Sequence, residues 1–206
     1  MKEATGKEIE VKFYVRDLKV LETRLVSAGG ELVEPRLTEV NLRFDLPGDD
    51  LLHSGRLLRL RQDKIARLTY KGPGGEQAGA RLREELEFEV SDFKIAQSFL
   101  EALGYQVVVV YEKYRTTYTL GSCEIVLDEL PYGYFIEIEG PDGEEIRSIA
   151  ERLEMDWEKR ILDSYLVLFE RLKGALSLDF RDLSFANFKG ISLTAEALGV
   201  AEADTG

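Results

Sequence analysis

Glu8-Ile9-Glu10-Val11-Lys12-Phe13-Tyr14 decides how this chain is read. Charged and apolar residues alternate without a break, and in an extended strand successive side chains point to opposite faces. One face carries Glu8, Glu10 and Lys12, and the other Ile9, Val11 and Phe13. The same parity returns along the chain: Arg59 and Arg61; Thr69 and Lys71; Arg83, Glu85 and Glu87; Lys113 and Arg115; Glu124 and Asp128; Glu137 and Glu139. Their alternate neighbours are apolar, among them Leu58, Leu60, Leu68, Leu82, Leu86, Phe88, Ile125, Leu127, Ile136 and Ile138.

Strands are predicted at 8–14, 38–46, 56–62, 65–72, 80–90, 106–120, 123–129 and 134–140, separated by Gly and Pro clusters. A sheet with one wet face would account for the alternation alone. Two features favour closure instead. The charged face mixes Arg and Lys with Asp and Glu and has few Ser, Thr or Gln fillers, and this many strands leave exposed edges unless the sheet closes. An eight-stranded barrel encloses room for one small ligand. Its apolar outside needs helices, and amphipathic stretches follow Asp17 (with Leu18, Leu21 and Leu25, stopped by Gly29-Gly30), span about 91–103 and 143–153, and run over 160–173. The expected fold is α+β: a closed eight-stranded antiparallel β-barrel with helices outside over residues 1–173, then an appendage at 174–206 whose last residues, 200–206, fray.

A faint repeat supports two similar halves. Glu10, Lys12, Val15, Asp17 and Gly29 overlay Glu85, Glu87, Val90, Asp92 and Gly104 at a constant offset of 75 (Glu10 to Glu85).

Composition narrows the function classes. The 206 residues are 44% hydrophobic, enough for a core, and the net charge of -12 lacks the basic footprint of a nucleic-acid binder. Cys123 is the lone cysteine, so no intramolecular disulfide forms. The first ten residues are polar, and the longest apolar run, 107–111, is far short of a membrane span, which assigns the chain to the cytoplasm with no membrane partner. No Walker glycine loop and no Ser/His/Asp triad can be assembled; Gly72-Pro73-Gly74-Gly75 reads as a hairpin turn and His53 as a loop residue.

A lumen with both signs of charge has a physical use. Buried charges are costly unless they pair or bind ions. Arg and Lys hold phosphate oxygens, while carboxylates hold a hard divalent cation. A polyphosphate with its metal needs both.

These residues resemble the CYTH domain, or triphosphate tunnel metalloenzyme, family. Glu8-Ile9-Glu10-Val11-Lys12 resembles its E-x-E-x-K signature, Leu58-Arg59-Leu60-Arg61 its L-R-x-R strand and Thr69-Tyr70-Lys71-Gly72 its T-x-K-G strand end. Arg83-Glu84-Glu85, Glu112-Lys113-Tyr114-Arg115, Leu127-Asp128 and Gly133-Tyr134-Phe135-Ile136-Glu137-Ile138-Glu139 follow in the family's order, and Ser164-Tyr165 resembles a pair on its late helix. Asn41 and Tyr134 depart from it, standing where many members have an aromatic and an acidic residue.

The resemblance implies a tunnel barrel and a Mg2+ (or Mn2+) requirement. It also implies a triphosphate partner: ATP, thiamine triphosphate or tripolyphosphate. Lys12, Arg59, Arg61, Lys71, Arg83, Lys113 and Arg115 are then the expected phosphate clamp, and Glu8, Glu10, Glu85, Asp128, Glu137 and Glu139 the expected metal ligands, with Lys12 and Glu8 in catalytic positions. Hydrolysis is the simpler outcome because it asks for no nucleoside pocket. Cyclisation of ATP to cyclic AMP and a noncatalytic polyphosphate-binding barrel stay open, as does monomer against homodimer.

Overall fold

In the computed structural model, which describes residues 5–204, the alternating segments form one sheet that closes on itself. The strands are β1 (Thr5–Val15), β2 (Glu31–Asp45), β3 (Leu57–Gln62), β4 (Ala66–Lys71), β5 (Gly75–Gln77), β6 (Ala80–Val90), β7 (Gln106–Leu120), β8 (Cys123–Leu130) and β9 (Gly133–Glu139). Around the barrel the order is β1-β9-β8-β7-β2-β3-β4-β6, and β6 returns to pair with β1; β5 lies outside the ring, paired only with β6. The fold is thus α+β with a closed eight-stranded antiparallel barrel. Residues 1–4 of the polar N-terminal stretch, and 205–206, lie outside the described residues.

Two local expectations need correcting. The hairpin turn is not at Gly72 to Gly75, since β5 intervenes; it falls at Ala78 and Gly79, between the paired residues Gln77 and Ala80. Both turn residues have positive φ (50° and 80°), the geometry that a two-residue hairpin requires to match strand twist. The last long helix does not begin at 160. Ile161 is extended and bridges to Lys12, so the helix waits for the Ser164 side chain to cap the Val167 N–H.

Helices α1 (Leu18–Ser27), α2 (Asp50–His53), α3 (Phe93–Ala102), α4 (Gly143–Arg152), α5 (Tyr165–Leu176) and α6 (Ala195–Leu198) sit outside the barrel. His53 therefore ends a short helix rather than lying in a loop. Asp17 caps α1 and Asp92 caps α3, the two acids matched in the repeat. Apart from the short α2 between β2 and β3, the halves β1-α1-β2-β3-β4 and β6-α3-β7-β8-β9 share one connectivity, and they diverge again afterwards: β9 leads into α4, β4 only into β5. Ile9, Val11 and Phe13 pack against Leu21 and Leu25 of α1 and Ile146, Ile149 and Ala150 of α4.

The C-terminal segment belongs to the barrel's wall. Leu183 bridges to Tyr111 of β7 and Glu202 to Tyr14 of β1, while Phe169, Phe188 and Leu198 share a core with Tyr132 and Phe135. Residues 200–204, expected to fray, are tied down: Ala203 is buried, its N–H donates to the Tyr14 carbonyl, and Asp204 accepts from the Arg16 N–H.

Candidate active site

Register proves which side chains share the lumen, because directly opposed residues face the same way. Around the barrel, Lys12 opposes Glu137, Glu10 opposes Glu139 and Arg81, and Glu8 opposes Arg83. Glu85 opposes Lys71, Thr69 opposes both Glu87 and Arg59, and Arg59 opposes Arg43. Asn41 opposes Arg61 and Tyr111, Glu39 opposes Lys113, Arg115 opposes Asp128, and Glu124 opposes Glu139. Every site residue expected from the sequence falls on this inner face.

Their pairing divides the lumen. Toward the end closed by the C-terminal segment, Lys12 Nζ lies 2.8 Å from Glu10 and 3.2 Å from Glu137, and Arg115 bridges Glu137 (2.5 Å) and Asp128 (2.6 Å). Asp128 also accepts from Lys113 at 3.0 Å and from the Tyr165 hydroxyl at 2.9 Å. The Tyr165 ring stands 5.5 Å from Lys12 Nζ and 5.3 Å from Lys113 Nζ, a cation–π floor. Elsewhere Lys71 pairs with Glu8 (2.5 Å) and Glu85 (3.4 Å), and Glu87 gathers Arg61 (2.9 Å), Arg59 (3.6 Å) and the Thr69 hydroxyl (2.7 Å). Arg83 spends its donors on backbone: Nε and Nη2 reach the Gly72 carbonyl and Nη2 the Gly55 carbonyl, fixing the loops at the mouth.

These fields set the protonation states. Burial opposes the Lys12 charge, yet Glu10 and Glu137 outweigh it and raise its pKa, so Lys12 is an ammonium at neutral pH and a charge stabiliser rather than a base. Burial pushes Glu39 and Glu137 up, but the surrounding Lys and Arg groups more than offset this, and both sit below the usual carboxylate range.

Of the lumen residues that the sequence does not single out, three matter most. Glu39, buried, accepts from Asn41 and lies 3.5 Å from Lys113 and 3.7 Å from Arg61. Tyr165 stands out in the sequence only through the Ser164-Tyr165 pair. Arg43 is the most telling. Burial first, then Arg59 and Arg83, lowers its pKa to about 10, against opposing pulls from Tyr111 and Asp45. Its Nε has no partner, and among the described residues the Arg43 side chain makes no hydrogen bond or ion pair. An uncompensated guanidinium between two other arginines is an anion site by its chemistry.

The donor set suits a hard cation: Glu10, Glu139 and Glu124 stand in one row across three strands and offer the carboxylate oxygens that such an ion takes. Among the described residues no three such groups converge on one point, and Glu10, Glu8, Glu137 and Asp128 are held by lysine and arginine. Among the described residues no helix is long and apolar enough to cross a membrane.

Residues 6–164 match the model of the CYTH domain. The adenylate cyclase CyaB of Aeromonas hydrophila is 27% identical over 135 residues, 64% of this chain and 67% of that protein. Among solved structures, the PH1819 protein of Pyrococcus horikoshii OT3 is similar with a TM-score of 0.68 and 26% identity, covering 80% of this chain and 99% of its own. A Vibrio parahaemolyticus structure has a TM-score of 0.71 at 23% identity, with 79% and 97% covered, which speaks to the fold.

Proposed function

The chain belongs to the CYTH domain family, and from that premise we propose that it holds a triphosphate in the barrel lumen and hydrolyses it with a divalent metal. The unpaired Arg43 beside Arg59 and Arg83 carries this reading, since it leaves a cationic corner whose charge only an anion can match. In this reading Lys12, Arg59, Arg61, Lys71, Lys113 and Arg115 exchange their carboxylate partners for phosphate oxygens. Arg83 contributes through its field and through the loops it anchors. The carboxylates Glu8, Glu10, Asp128, Glu137 and Glu139, with Glu85 nearby, would hold Mg2+ or Mn2+, which would supply charge neutralisation at the phosphates. Lys12 stabilises charge developing on the transferred phosphoryl group, and Glu8, which pairs with Lys71 in the resting lumen, helps orient the attacking water.

A second reading follows from the similarity to the Aeromonas cyclase: the ribose 3′-hydroxyl of ATP attacks the α-phosphorus and pyrophosphate leaves. Incubation with Mg2+ or Mn2+ and ATP, thiamine triphosphate or tripolyphosphate, followed by separation of products, tests both. Released orthophosphate supports hydrolysis, cyclic AMP with pyrophosphate supports cyclisation, and binding without turnover leaves a noncatalytic barrel.

A further inference from the structure

The two halves of the barrel are covered unequally. Val11 and Phe13 on the outer face of β1 are 1% and 0% exposed, whereas their repeat equivalents on β6, Leu86 and Phe88, are 39% and 57% exposed. The difference is one helix. α4 follows β9 and lies over β1 and β9, but the equivalent strand β4 runs through the short β5 directly into β6. The neighbouring helix shows where the absent cover would lie. On α1, Arg24 meets the end of α4 through the Leu153 carbonyl and Glu154, and the Ala28 carbonyl accepts from Arg152. The equivalents on α3 are Phe99 and Leu103, 64% and 59% exposed, with Ile95 at 69% completing an i, i+4, i+8 stripe. So α3 presents an apolar side toward a bare apolar strand, a corner shaped for a helix.

We propose that a second copy of this chain fills that corner, each copy's α3 taking the place that α4 holds in the other half, about a two-fold axis near Phe99. α3 suits the role. Phe99, Ala102 and Leu103 give it the spacing of Ile146, Ile149 and Ala150 on the α4 face, and the one charged residue between Ile95 and Leu103, Glu101, is two positions from Phe99 and faces away from the stripe, where it accepts from Gln97, so the stripe itself adds no like charge between chains of net charge -12. At roughly 150–250 Å2 for a large aromatic side chain, five side chains about half exposed offer roughly 500 Å2 per copy, or roughly 1,000 Å2 in all. That is the low end for a specific interface and fits a reversible dimer rather than a permanent one. An isologous contact also closes on itself, so association stops at two.

Sedimentation velocity over a micromolar concentration series reads the outcome. The wild type is expected to move from monomer to dimer, and Phe99→Asp and Phe88→Asp to stay monomeric with unchanged melting temperatures, since both sites are solvent-exposed. Phe99→Cys is expected to form a disulfide-linked dimer on oxidation, while Lys94→Cys, on the opposite side of α3, does not; the native Cys123 is buried and does not interfere. A wild type that stays monomeric throughout, or a dimer that survives both Asp substitutions, overturns the proposal.

Discussion

Replacing Arg43 with Gln should make the empty protein more stable and the liganded protein less so. The pKa of Arg43 falls from 12.5 to about 10 in the folded state, and at ~1.4 kcal/mol per unit that sets a ceiling of ~3 kcal/mol on what folding spends to keep this charge buried. Gln keeps some of the side-chain volume and removes the charge, so a gain of ~1–3 kcal/mol is expected at neutral pH. For a chain of this size that is a rise of roughly 3–10 °C in melting temperature. The sign reverses with substrate. A charge-assisted hydrogen bond is worth ~1.5–3 kcal/mol, so losing it should weaken tripolyphosphate binding ~10- to 100-fold and shrink the ligand-induced rise in melting temperature. Thermal melts of both proteins, with and without tripolyphosphate, check the two halves together. A variant that melts lower than the wild type when empty, or that gains as much from the ligand, would refute the assignment of Arg43 to an anion site.

Glu10→Gln and Glu139→Gln should abolish turnover with little unfolding, because each removes one anionic metal ligand at nearly constant size; full activity in EDTA or in both variants would contradict the metal site. Tyr165→Phe should cost ~1 kcal/mol in melts and lower kcat more than it raises KM, because Asp128 loses the hydroxyl that keeps it in place once Lys113 and Arg115 turn to phosphate. Acid should destabilise the fold. Glu39 and Glu137 have folded pKa values below the unfolded value of about 4.5, so their contribution is complete above pH ~4.5 and drains away as pH falls through the folded values. Glu39→Gln should therefore melt lower at pH 7 and lose less on acidification, as melts at pH 7 and pH 3.5 would show.

Strand parity made much of this molecule readable. β1 and β7 to β9 carry charges two apart on one face, and the structure places Lys12, Lys113, Arg115, Asp128 and Glu137 together on the inner wall. β2 has the same alternation, with Glu39, Asn41 and Arg43 inward and Leu42 and Phe44 outward, yet Asn41 interrupts the charge pattern and hides the strand's contribution. Tyr165 was beyond parity altogether, since it reaches the lumen from a helix. Likewise the segment beyond 176 shows no period because its residues fill seams left by other strands, Leu183 beside β7 and Glu202 beside β1, and a seam exists only once the barrel does.

That arrangement has a consequence for how the chain is made. Of the barrel strands β1 is made before the others, but its partners are spread along the rest of the fold: residues 81–86 on one flank, 134–139 on the other, then Ile161, Glu202 and Ala203. Pairings so distant in sequence slow folding, because loop-closure entropy is lost before the contacts reward it. During synthesis the Glu8 to Phe13 strand waits as an open edge, and its alternating carboxylates and lysine are what keep such an edge from pairing with a neighbouring nascent chain. The charges that line the finished lumen thus guard the unfinished one.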